Sequence, residues 1–163
     1  MEKIIIKEMK KIFKKDYRRI KHALKVLDYA KKINSIENGD PKIVSTVAIL
    51  HDIGIKEAEK KYGSSAGVYQ EKEGPPIAQK ILKNLNYKKN EINHICNIIA
   101  NHHSNLNFDT IEFKILWDAD WLVNIKDEGT SKKKTKEELL KFIDKIFKTK
   151  TGKQIAKKKI LIK

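Results

Sequence analysis

The sequence predicts an all-α fold, a single helical bundle, and three observations carry that prediction. Apolar residues recur at helical spacing through nearly the whole chain. No two segments alternate as paired strands would, and Ile4-Ile5-Ile6 is too short to count as one. The 163 residues include only seven glycines and three prolines, too few for an all-β fold that turns about every ten residues. With 40% apolar and 35% charged residues, the chain can bury a core beneath a solvated surface. Collagen-like, disulfide-stapled and disordered chains are thereby excluded.

The elements follow in order. Ile20, Leu24 and Leu27 fall at i, i+4, i+7, and His22, Val26, Tyr29 and Ile33 repeat that spacing on another face, so this helix is central. Gly39-Asp40-Pro41 reads as a stop and restart: Gly ends one helix, Asp caps the next, and Pro occupies its first position. The helix from Pro41 carries Ile43, Val44, Val47, Ala48, Ile49 and Leu50 and runs into His51-Asp52-Ile53-Gly54. The polar stretch 55–73, with Gly63-Ser64-Ser65-Ala66-Gly67 at its middle, is expected to be a loop or lid that sets substrate choice. Pro75-Pro76 is expected to open a helix through Ile77, Ile81, Leu82 and Leu85. Another begins near Asn90, with Ile92, Ile95, Cys96 and Ile99 on one stripe, and ends at Asn101-His102-His103-Ser104. Asp109 is expected to cap a helix through Phe113, Leu116, Trp117 and Leu122. A Lys-rich linker over 129–134 precedes a last amphipathic helix with Leu139, Leu140, Phe142, Ile143, Ile146 and Phe147, and the tail from Thr149 is basic and weakly patterned. One domain is expected over 1–163, its core at about 15–125 and a Lys-rich helical extension over 130–163.

Cys96 stands alone, so the fold does not depend on an oxidising compartment. The chain has no run of about eighteen uninterrupted apolar residues to cross a membrane. Its N-terminus alternates charge with isoleucine, without the apolar run of a signal peptide, and the expected location is the cytoplasm. The net charge of +15 is concentrated at the ends: residues 1–19 carry +5, residues 126–163 carry +9, and the centre is nearly neutral. Almost all of it is Lys, which solvates helix surfaces and lacks the planar fork of a base-reading Arg. A nucleic-acid partner is therefore not expected, whereas a positive field suits a small phosphorylated substrate.

The chemistry gathers around histidines and acids in apolar company. His22 shares the face of Val26, Tyr29 and Ile33, and His51-Asp52 ends the run Val47-Ala48-Ile49-Leu50. Asp118 and Asp120 interrupt the apolar helix from Ile115 to Val123. His103 falls on the Ile92/Cys96/Ile99 stripe with His102 at its edge, while His94 and Lys25 read as surface. A single histidine on such a face is more often a hydrogen-bonded core residue than a ligand. Four helices each delivering an imidazole or acid make a different case, because such groups are costly together unless a cation gathers them.

His22, His51-Asp52 before Ile53-Gly54, and Asp118-Ala119-Asp120 together resemble the H…HD…D pattern of the HD-domain metal-dependent phosphohydrolase superfamily. Arg19, three residues before His22, is similar to a common form of the first motif. The resemblance implies an all-α bundle that holds a divalent metal (Fe, Mn, Co, Ni, Zn or Mg) through His22, His51, Asp52 and Asp120. It also implies hydrolysis of a phosphate ester, of a nucleotide or another small phosphorylated metabolite, by an activated water. Asp52 or a neighbouring acid would then take the water's proton, and Arg19 with nearby Lys would neutralise the developing phosphate charge. His102, His103, Glu71, Glu73 and Asp118 are the candidates for a second metal or a phosphate contact. The sequence departs from relatives that cleave cyclic dinucleotides at Ile55, where they carry Lys, and from alarmone hydrolases over Ile55-Lys56-Glu57-Ala58. Trp121 and Val123 replace an Arg and an Asp of the family's usual site rim. The rival reading is an HD scaffold that binds metal and ligand, or a partner, with turnover lost.

Overall fold

In a computed structural model, residues 1–104, 108–127 and 135–161 are described, so the expected linker over 129–134 lies outside the described residues. Those residues form nine helices and no strand: α1 (Glu2–Phe13), α2 (Tyr17–Glu37), α3 (Pro41–Leu50), α4 (Ile55–Tyr62), α5 (Gly67–Asn84), α6 (Lys89–Ile99), α7 (Ile111–Asp127), α8 (Lys136–Ile146) and α9 (Lys150–Leu161). The short isoleucine run belongs to α1, whose Ile5, Met9 and Phe13 bury at i, i+4, i+8.

α3 is the axle of the bundle. Ile43, Val44, Thr46, Val47, Ala48, Ile49 and Leu50 are all buried, because α1, α2, α6 and α7 pack around it. The Asp40 carboxylate accepts from the amides of Lys42 and Ile43, and Pro41 sits in the first turn, where a missing N–H costs nothing. The buried Thr46 hydroxyl is satisfied by the Lys42 carbonyl and by Tyr87 Oη, 2.9 Å away. The left-handed residue that ends α2 is Asn38, with φ 60°, and not Gly39.

Three further expectations need correction. The stretch 55–73 is no long loop: α4 and the first turns of α5 occupy it, leaving only Gly63–Ala66 as connection. Its polarity misled, because α4 is a surface helix that buries only Ile55 and Ala58. Pro75 and Pro76 lie inside α5 and do not open it. They remove two amides from the ladder, yet the helix continues because α4 and α6 hold both of its flanks. Asp109 does not cap α7; it pairs with Lys114 at 2.9 Å, and Thr110 Oγ1 accepts the Phe113 amide. The basic tail is helical: α8 and α9 form a hairpin whose α9 lies against α7 and α2. None of the helices is long and apolar enough to cross a membrane among the described residues.

Candidate metal centre

Four elements meet at one end of the bundle. α2 supplies His22, half-buried beside the Ala23/Val26 face. α3 ends at His51, fully buried, and the following turn presents Asp52. That turn is held down by a close crossing. A Cβ on Gly54 would lie 2.5 Å from the Gly74 amide nitrogen and 2.6 Å from the Gln70 carbonyl oxygen, so α5 can run past only where the residue is glycine. The turn after α6 contributes His102, and α7 contributes Asp120.

The polar atoms converge. His22 Nε2 lies 3.0 Å from Asp120 Oδ1 and 3.7 Å from Asp52 Oδ2. His51 Nε2 lies 3.4 Å from Asp52 Oδ2 and 3.8 Å from Asp120 Oδ1, and His102 Nε2 lies 3.6 Å from Asp52 Oδ1. His51 Nδ1 is 3.0 Å from the Ala48 carbonyl oxygen and His102 Nδ1 is 2.6 Å from that of Ile99. A carbonyl can only accept, so each Nδ1 carries the proton and each Nε2 turns a lone pair toward the carboxylates. Both Nε2 atoms are buried with no hydrogen-bond partner among the described residues. Bare lone pairs facing carboxylate oxygens repel, and a cation between them removes the conflict. A proton is the smallest such cation. Burial alone would lower the His51 pKa, but Asp52 and Asp120 reverse that and raise it to about 9. Burial would likewise raise the Asp52 and Asp120 carboxyls, yet the facing imidazoles hold both below the usual range.

His22, His51 and Asp52 offer ligand atoms all within 4.8 Å of one another, as do Asp52, His102 and His103. Asp52 is common to both groups. The donor set, neutral imidazole nitrogen plus carboxylate oxygen, suits divalent Mn, Fe, Co, Ni or Zn better than Mg. The residues present therefore fit a divalent ion.

Other candidates are placed differently. His102, expected at the edge of the buried stripe, is the buried member of the pair, and His103 is the more exposed residue. The helical phase that placed His103 inward stops at Ile99, where α6 ends. The His103 ring is nonetheless crowded, lying 4.0 Å from His102 between ring centres. Gln70 donates its amide to the Ser65 carbonyl, so its Oε1 accepts from His103 Nε2 at 3.2 Å. Burial and the His102 ring lower the His103 pKa to about 4, which keeps it neutral. Glu71 accepts from the His103 and Ser104 amides and the Ser104 hydroxyl, fixing the turn that carries His102. Glu73 is taken by Lys61 at 2.6 Å and by Tyr62 Oη at 2.9 Å, away from the cluster. Asp118 is a structural group: it accepts from the Lys148 and Thr149 amides and the Thr149 hydroxyl at 2.6–2.8 Å. A residue is 100° of helix, so Asp118 and Asp120 face nearly opposite sides of α7.

Arg19 lines the cleft above the cluster, but its guanidinium is paired with Asp16 at 2.6 Å and Glu59 at 2.5 Å. Lys25, expected to be plain surface, lines that cleft, which has a volume of about 610 Å³. His94, also expected at the surface, is half-buried and bonded to Glu112 at 3.1 Å. Asn124, one turn after Asp120, donates to Asp120 Oδ1 at 3.1 Å and orients that carboxylate. Only its i+4 spacing from Asp120 could have signalled it.

An all-helical bundle that gathers imidazoles and carboxylates beneath a cleft belongs to the class of helical domains built around a metal-binding centre. The match is specific: residues 19–147 fit the HD domain family, and the chain belongs to that family. Two solved structures are similar in fold. One is a predicted HD superfamily hydrolase from an uncultured Thermotogales bacterium, 22% identical, covering 98% of this chain and 85% of that one with a TM-score of 0.73. The other is an HD-superfamily hydrolase from Bacillus thuringiensis, 24% identical, covering 98% of this chain and 89% of that one with a TM-score of 0.70. No curated protein matches the chain at a significant level.

Proposed function

We propose that the protein is a metal-dependent phosphohydrolase acting on a phosphate ester of a nucleotide or another small phosphorylated metabolite. The observation that carries this reading is the pair of orphaned, buried Nε2 atoms of His51 and His102, aimed at ionised carboxylates beneath an open cleft. His22, His51, Asp52 and Asp120 would hold one ion, and Asp52 with His102 and His103 could hold a second. Such an ion supplies a water whose pKa falls toward ~7 and polarises a phosphoryl oxygen.

The chain's own groups do the rest. The carbonyls of Ala48 and Ile99 fix the two imidazoles so that Nε2 stays the ligating atom. Asn124 sets the Asp120 carboxylate. Asp52 and Asp120, both ionised, are the acceptors within the cluster for a proton released there. Arg19 braces α2 against α4 through Glu59, so the phosphate charge falls to the exposed cations of the cleft, Arg18, Lys21 and Lys25.

The test uses protein loaded with manganese and a chromogenic pair, p-nitrophenyl phosphate and bis(p-nitrophenyl) phosphate, followed by a panel of nucleotides. Metal-dependent turnover that His51→Ala abolishes supports the reading. Tight metal uptake with no turnover on the whole panel would favour the rival, a binding module on the same scaffold.

A further inference from the structure

Two hollows share a wall on the α2 side of the metal centre. One is the cleft over the His/Asp cluster. The other is a groove of about 660 Å³ between α2, α7 and α9, a volume in the range that seats a small organic ligand. Lys21 and Lys25, four residues apart on α2, line both hollows. Both are exposed, and neither has an acidic partner among the described residues. Like charges at that spacing repel unless an anion lies between them. Arg18, also in the cleft and also without an acidic partner among the described residues, adds a third free cation.

The groove beyond this ridge has a different character. Its floor is apolar, with Leu122 fully buried and Ile20 nearly so, and Leu24 half-buried at its edge. Tyr17, at 73% exposure, leaves a ring open at the rim. Asp28 is the one acid among the lining residues, and Lys32 neutralises it at 2.7 Å. Lys159 lies across one end, its ammonium 4.2 Å from the Tyr29 ring centre and donating to the Leu122 carbonyl at 3.0 Å. That strap suits a ligand that ends in the groove and not a polymer that runs through it.

We propose that the groove seats the organic part of the substrate, and that the substrate carries at least two linked phosphoryl groups joined to a flat, nucleobase-sized ring. The inference rests on the phosphohydrolase reading of the cluster. The terminal phosphoryl group lies over the cluster, the next on the Lys21–Lys25 ridge, and the ring against Leu24 and Tyr17, so within the phosphate-ester reading the bond presented to the cluster is the phosphoanhydride between the two phosphoryl groups. A simple monoester would leave the ridge cations uncompensated, and a purely inorganic polyphosphate would leave the apolar groove empty.

Binding tests this without turnover. Calorimetric titration of the protein with adenosine 5′-(α,β-methylene)diphosphate is compared with inorganic pyrophosphate, AMP and a thymidine decanucleotide. The methylene analogue should bind about tenfold or more tightly than AMP or pyrophosphate, the equivalent of one phosphoryl contact or one seated ring. Lys21→Gln and Lys25→Gln should each weaken it by about three- to tenfold, an ion-pair-sized effect. Tyr17→Ser, at an exposed position where folding is not at risk, and Leu24→Ala should weaken the analogue while leaving pyrophosphate unchanged. Equal affinity for pyrophosphate and the analogue, indifference to all four substitutions, absence of binding, or tighter binding of the decanucleotide would each overturn the proposal. Hydrolysis of p-nitrophenyl phosphate is read separately, so a protein that binds the analogue in the groove yet hydrolyses nothing refutes the phosphohydrolase reading alone.

Discussion

Adding one methyl group at Gly54 should damage the centre from two residues away. Gly54 has an ordinary helical backbone, φ −76° and ψ −15°, so alanine there is conformationally easy. By chain entropy alone, Gly54→Ala would stabilise the fold by about 0.4–1 kcal/mol. Space opposes it. The new Cβ would lie 2.5 Å from Gly74 N, 2.6 Å from Gln70 O and 2.9 Å from Gly74 Cα, all backbone atoms of α5 that no rotamer change can move. Relief requires α5 to retreat by almost an ångström, and overpacking of that kind costs about 1–3 kcal/mol or more. Sterics should win by about 1–2 kcal/mol, which in a domain of this length lowers Tm by about 2–8 °C. The same retreat moves Asp52 and loosens Gln70 from His103, so divalent-ion affinity should fall as well. Scanning calorimetry and a manganese titration read the two effects. An unchanged or raised Tm would show that the crossing is slack and refute the reasoning.

Three further outcomes are expected. A saturating divalent ion at about a hundred times its Kd should stabilise the protein by ~2.7 kcal/mol and raise Tm by several degrees, and His51→Ala should lose that shift; a full shift in the variant would show that the ion binds elsewhere. His102→Ala should lower metal content, measured by elemental analysis, more than His103→Ala does, and the reverse order would contradict the placement of the buried ring. Burial would raise the Glu112 carboxyl, but the Asp40 amide and His94 hold it below its usual value, so its stabilisation is complete above about 4.5 and is lost as pH falls through its lower folded value. Glu112→Gln should therefore be less stable than the parent at pH 7 and converge with it toward pH 3; a gap constant in pH would refute the assignment.

Local patterns in the sequence were sufficient for much of this architecture. Asp40-Pro41, the all-round burial of α3 and the inward phase of His22 depend on neighbours within a turn or two, where periodicity and capping speak directly. So does the run His51-Asp52-Ile53-Gly54, although the reason for its glycine, contact with Gly74, is invisible at a separation of twenty residues. What misled was tertiary support. α4 has few apolar residues and exists because α5 covers it, and Pro75-Pro76 can lie inside a helix because neighbours hold that helix together. The identities of Asp118, Glu71 and Glu73 were plain, but their partners are Thr149, Ser104 and Lys61, chosen by the fold. Extrapolating a helical phase past Ile99 exchanged the places of His102 and His103.

The bonds between Asp118 and Thr149 have a bearing on how the chain is made. His22, His51 and Asp52 leave the ribosome well before α7, so the cluster stays open on one side until Asp120 arrives. Asp118 emerges with it and must wait a further thirty residues for the Lys148 and Thr149 amides that satisfy its buried carboxylate. Gly152 then has to slide against that carboxylate, where a Cβ would stand 2.3 Å from Oδ2. Until that happens α7 carries an uncovered acid on the face opposite its ligand, which favours a loose seating of the whole helix. The centre is thus finished from behind: a hairpin synthesised after α7 locks the helix whose other side completes the cluster.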